Sequence, residues 1–105
     1  MKRSQAFNDL LVESLKDPQE AIAYLNAVLE DCKDGGQESQ AVLLFAFKNV
    51  IEAQGGITQL AKKSGLGRES LYKTLSHKGN PKLSTLTTLI NAMGFDLKIC
   101  IPSKR

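Results

Sequence analysis

Ile57-Thr-Gln-Leu-Ala-Lys-Lys-Ser-Gly-Leu-Gly-Arg-Glu-Ser-Leu-Tyr-Lys-Thr-Leu75 holds two helix-length segments around a glycine. Thr58 is a candidate N-cap, and Gln59 to Ser64 reads as a short helix with Leu60 and Ala61 inward. Gly65 closes that helix, because a tight turn here needs positive φ and glycine adopts it without a steric penalty. Gly67 starts a second helix, Arg68 to Leu75, with Leu71 and Leu75 inward. Two short helices joined by a few residues containing glycine make a helix-turn-helix. Such helices cross closely, so the crossing residue must be small, as Ala61 is, and Leu71 is placed to fill the crook between them.

The outward residues of the second segment are Arg68, Glu69, Ser70, Tyr72 and Lys73. They supply what the major groove of a duplex asks for: a bidentate donor for guanine, an acceptor for cytosine N4, and a lysine for guanine or phosphate. Thr58 and Gln59 stand at the amino end of the first segment, where backbone N–H groups suit a phosphate. The polar loop that follows offers Lys78, Asn80 and Lys82 to the DNA backbone. The bland alternative is a helical hairpin in an all-α core. In that reading Glu69 answers the helix dipole and Tyr72 is half-buried packing. His77 sits in the same loop with no visible nucleophile or orienting carboxylate, and reads as solvated or phosphate-contacting. Lys62 and Lys63 read as a solvated helix face.

Charge divides along the chain. Residues 1–55 hold five Lys and Arg against nine acids, a balance of −4, while residues 56–105 hold nine against two, a balance of +7. A polyanion would meet the second part and avoid the first.

Further out, Ser84 reads as the cap of a helix from Thr85 to Met93, with Leu86, Leu89, Ile90 and Met93 inward and Gly94 ending it. In residues 95–101, Phe95, Leu97 and Ile99 alternate with Asp96 and Lys98, the period of a half-buried strand. A lone strand must pair with something. A second copy, a partner protein's sheet edge or an unrecognised strand could supply that pairing; with no second strand pattern in the chain, Phe95, Leu97, Ile99 and Ile101 are expected above all to join two copies into a homodimer. Toward the N-terminus, Asp17-Pro18 with Glu20 opens a helix carrying Ala21, Tyr24, Leu25, Val28 and Leu29, which should end near Lys33 before the Asp34-Gly35-Gly36 turn. A longer helix spans roughly Gln37 to Gln54, with Val42, Leu43, Phe45, Ala46, Val50 and Ile51 as its apolar side. Phe7, Leu10, Leu11 and Leu15 allow a short amphipathic helix or an arm before these.

The expected architecture is mainly all-α, with five to six helices and one C-terminal β-strand. Residues 1–16 form an arm or short helix, 17–56 an acidic helical pair, 57–94 the helix-turn-helix region, and 95–105 the strand and tail. Segments 17–56 and 57–105 are expected to pack as one domain. Cys32 and Cys100 lack the spacing of a zinc site or a disulfide framework; Cys100, in an apolar run, reads as a core or interface residue. No metal, cofactor or catalytic constellation is expected, so the chain does not read as an enzyme. No leader or membrane span is evident, which makes a cytoplasmic protein the default.

Gly55-Gly-Ile-Thr-Gln-Leu-Ala, Gly65-Leu-x-Arg-Glu-Ser-Leu-Tyr-x-x-Leu75, Gly79-Asn-Pro-x-Leu-x-Thr-Leu86 and Met93-Gly-Phe-x-Leu97 resemble the phage-repressor-type, or Xre, helix-turn-helix. With Leu15-Lys-Asp-Pro-Gln-Glu-Ala-Ile-Ala-Tyr-Leu, they are more narrowly similar to the addiction module antidotes, antitoxins related to the HigA type. The likeness covers about residues 8–100. It implies a phage-repressor-like fold, a dimer that binds its own operator, and a cognate toxin, usually a RelE-like ribosome-dependent mRNA interferase. It implies that Arg68, Glu69 and Lys73 touch base edges and that Gln59 clamps a phosphate. The acidic first part would then face a basic toxin. Left open is a regulator of the same type with no toxin, or an interaction module that has lost DNA binding. Two positions depart from the pattern: Gly67 stands where Ser or Thr is commoner, and Thr74 where an apolar residue is.

Overall fold

The computed structural model describes residues 3–76 and 78–101, with side chains from Phe7 onward. Six helices follow in order: α1 (Arg3–Ser14), α2 (Pro18–Asp31), α3 (Gln37–Ala53), α4 (Gly56–Ser64), α5 (Arg68–Thr74) and α6 (Leu83–Ala92). The local chemistry sets most of these ends. Asp17, extended at φ −76°, accepts a hydrogen bond from the Gln19 N–H at 2.9 Å, and Pro18 takes the first helical position. Gly65 ends α4 in the left-handed region at φ +79°, its N–H donating to the Ala61 carbonyl at 3.0 Å. The turn is tightened by Ser64, whose hydroxyl accepts from the Leu66 N–H at 3.2 Å.

Helix α3 is the spine: it packs on α1, α2 and α4, and α4 packs in turn on α5 and α6. The core is a chain of aliphatic side chains through those contacts. Leu15, Ala21 and Leu25 meet Leu44, Ala46, Phe47, Val50 and Ile51 of α3, and the cluster continues through Leu60, Leu71, Leu75, Leu89 and Ile90. Each fully buried Leu, Val or Ile contributes about 1.5–3 kcal/mol relative to exposure. Asn49 is the buried polar side chain among the described residues, and its Nδ2 donates to the Tyr24 hydroxyl at 3.3 Å, tying α3 to α2. Gln54 donates to the carbonyls of Leu15 at 2.8 Å and Lys16 at 3.2 Å, holding the α1–α2 turn over the end of α3.

The C-terminal strand is not present: residues 95–101 join no ladder, and the fold is all-helical among the described residues. The cause lies in Phe95. Gly94, at φ +89°, and Phe95 close α6 in a Schellman motif, Gly94 N–H donating to Asn91 O and Phe95 N–H to Ile90 O, both at 3.0 Å. Phe95 therefore belongs to a helix cap, half-buried against the core, while Leu97, Ile99 and Ile101 are exposed beyond it. The alternation is a side-chain pattern with no second strand among the described residues to complete it. Cys100, expected in a core or an interface, is exposed.

Helix starts also moved. Helix α4 begins at Gly56, so Thr58 lies inside its first turn and is not a cap. Helix α6 begins after Lys82, so Ser84 is likewise internal. On α3 the inward stripe is Leu44, Ala46, Phe47, Val50 and Ile51, and Val42 and Phe45 face solvent instead. Phe7, Leu10 and Leu29 are exposed as well. No helix of the described residues is long and apolar enough to cross a membrane.

Candidate nucleic-acid interface

The α4–α5 pair rests on two buried leucines. Leu60 of α4 and Leu71 of α5 are 4% and 1% exposed, with Ala61 packed at the edge of the same cluster. Leu75, which caps α5, is buried too and supplies the packing that Thr74, only partly covered, does not. Leu71 and Leu75 stand one helical turn apart, so fixing both inward turns the remaining face of α5 outward.

That outward face carries Arg68, Glu69, Ser70, Tyr72 and Lys73, all exposed. Arg68 is partly organised before any ligand arrives. Its guanidinium carbon lies 5.7 Å from the Tyr72 ring centroid, and its Nη2 donates to the Tyr72 hydroxyl at 3.4 Å, an i, i+4 pairing along the helix. Tyr72 also edges a cleft of about 310 Å³ lined by Lys48, Ile51, Glu52, Ile57 and Leu75. Thr58 and Gln59 are exposed in the first turn of α4.

Lys78, Asn80 and Lys82 are exposed in the segment between α5 and α6, and His77 lies outside the described residues. This segment is not free. Gln40 of α3 donates to the Gly79 carbonyl at 2.8 Å and to Asn80 Oδ1 at 3.4 Å, and together with Gly35 and Gln37 it frames a polar recess of about 360 Å³ around Lys78 and Asn80. Gln40 was invisible to sequence reasoning. Its partners lie 39 and 40 residues away, and a glutamine in the first turn of a helix carries no local signal of such a contact.

The electrostatics match the division of the sequence. The ion pairs among the described residues, Lys16–Glu13 and Lys33–Glu30, both at 3.0 Å, belong to the first part of the chain. Arg68, Lys73, Lys78 and Lys82 join none, so their charge is available to an outside anion. No group of three or more His, Cys, Asp or Glu among the described residues is placed to hold a metal ion.

A family described as "probable addiction module antidote protein" matches residues 5–101. A protein of Haemophilus influenzae, strain Rd, described as uncharacterized, is 28% identical over 89 residues, covering 85% of this chain and 84% of its own. No solved structure matches. The family match runs from within α1 to the last described residue. The protein therefore belongs to the addiction module antidote family, whose name implies a cognate toxin as partner.

Proposed function

We propose that the chain is the antitoxin of a type II toxin–antitoxin module, a cytoplasmic protein that neutralises a RelE- or HigB-like RNase and represses its own operon. It acts by binding and not by catalysis. In this reading α4 and α5 form an Xre-type helix-turn-helix, and α5 enters the major groove of the operator. Arg68, Glu69 and Lys73 meet base edges. Ser70 and Tyr72 line the same face. Thr58 and Gln59 hold a phosphate at the start of α4. Lys78, Asn80 and Lys82 contact the backbone and set register without reading sequence. Two copies would occupy half-sites about 34–36 Å apart, or a multiple of that.

The observation that carries this reading is the outward face of α5: Leu71 buried, Arg68 held over Tyr72, and every polar residue of the face exposed and outside any ion pair among the described residues. Family membership carries the antitoxin half. The test is a mobility shift on the upstream promoter and on random DNA. Arg68→Ala should lose about 1–3 kcal/mol on the operator and relax specificity at one base pair. Equal loss on both DNAs would remove α5 from the reading role. Rescue of growth against the product of the adjacent reading frame tests the second half, and should persist when Arg68 and Lys73 are both replaced.

A further inference from the structure

A groove beside α3 is not used by the DNA reading. It lies between the end of α2 and the first turns of α3, is broad and open to solvent with a volume of about 720 Å³, and is lined by Asp31, Cys32, Glu38, Ser39, Ala41, Val42 and Phe45. Val42 and Phe45, one helical turn apart, are 54% and 53% exposed. A half-exposed aromatic beside an aliphatic, rimmed by polar groups, is the composition of an anchor site for another protein. The rim is acidic: Asp31 and Glu38 stand at the two helix ends, with Asp34 on the turn between them, and none of the three joins an ion pair among the described residues. Asp31 occupies the last residue of α2, where the helix dipole disfavours a carboxylate, so a cation brought from outside relieves that repulsion as well as pairing.

We infer that this groove receives a basic, apolar-tipped segment of the cognate toxin, an apolar side chain seating between Val42 and Phe45 while Lys or Arg meets Asp31 and Glu38. The inference rests on the antitoxin reading above. Nucleic acid is disfavoured here because its phosphates would face the carboxylates. A second copy is disfavoured because a two-fold contact would set this acidic rim against itself. A toxin that handles RNA must present cations, and the groove offers their complement next to an apolar anchor.

The probe is the protein of the adjacent reading frame, titrated against the full-length chain carrying Cys100→Ser, so that Cys32 in the groove is the one reactive thiol. Binding should slow maleimide alkylation of Cys32. Phe45→Arg should weaken binding by about 30-fold or more, the size expected for an anchor, and the pair Asp31→Lys, Glu38→Lys should also weaken it. All these variants should shift operator DNA as the parent does, which shows that they fold. If the probe binds the parent but these variants bind equally well and Cys32 stays reactive, the groove assignment is overturned while the antitoxin reading stands. If the probe does not bind the parent at all, the antitoxin reading fails and the groove falls with it. If light scattering shows an isolated dimer that Phe45→Arg splits, the groove belongs to a second copy and the inference is overturned.

Discussion

Arg68 and Tyr72 form a pair whose worth can be weighed. Both are exposed, so a cation–π contact of this kind is worth about 0.5–1 kcal/mol, and the 3.4 Å hydrogen bond adds little. On the proposed operator-binding reading, the ring holds the guanidinium in one place before DNA arrives. Tyr72→Leu should therefore weaken discrimination about two- to fivefold at the base pair read by Arg68, and Tyr72→Phe should retain most of it. Measured on operators substituted one base at a time, the effect of Tyr72→Leu at that base should vanish in an Arg68→Ala background. Asp34 gives a second residue-scale test. Hydrogen bonds from the Ser39 side chain and then the Gly36 N–H hold its carboxyl below the ordinary value of 3.8. A folded value below the unfolded one stabilises the protein above the unfolded value, and that contribution fades as pH falls through the folded value. The stability gap between the parent and Asp34→Asn should thus close on acidification below about pH 4. Denaturation midpoints across that range decide it.

Among the elements, the helices whose ends are written in side-chain chemistry were legible. Asp17-Pro18 marks the start of α2 and Gly65 the end of α4, because a carboxylate acceptor and a residue at positive φ answer local demands. The start of α6 was not legible: Ser84 looks like a cap, but Leu83 is already helical and Lys82 holds the cap without a side-chain bond. The strand failed for a different reason, since period-two alternation says nothing about whether a partner backbone exists. The exposed face of α5 was legible because Leu71 and Leu75 fix its rotation, whereas the exposed pair Val42 and Phe45 was expected inward because a run of apolar residues on α3 satisfies more than one stripe. Helix α5 also shows where stability can be added. Gly67 caps it at φ −73° with no side-chain bond and open space where a Cβ would stand. Gly67→Ser should gain a few tenths of a kcal/mol, raising Tm by about 1–3 °C. Gly65→Ala, forced into the left-handed region, should cost about 1–2 kcal/mol and lower Tm by several degrees.

At the scale of the molecule, the acidic and basic parts of the sequence meet along α3, which contacts α1, α2 and α4 and reaches the α5–α6 segment through Gln40. If the chain binds an operator as proposed, the cations of the second part that join no ion pair among the described residues predict a steep salt dependence of that binding. Lys78→Ala should lower affinity alike on operator and random DNA and reduce the slope of log affinity against log salt by about one. A slope unchanged by this substitution would take Lys78 off the phosphate backbone.

Because neighbouring side chains on one rod face opposite tasks, Ser39 and Ala41 toward the groove and Gln40 toward Gly79, the two surfaces cannot be inherited apart. A gene exchange between relatives with its junction at Gly55 would unite an α3 from one parent with α4 from another. Such a hybrid could hold together only where the aliphatic fit of Val50 and Ile51 against Leu60 had drifted in step in both lineages.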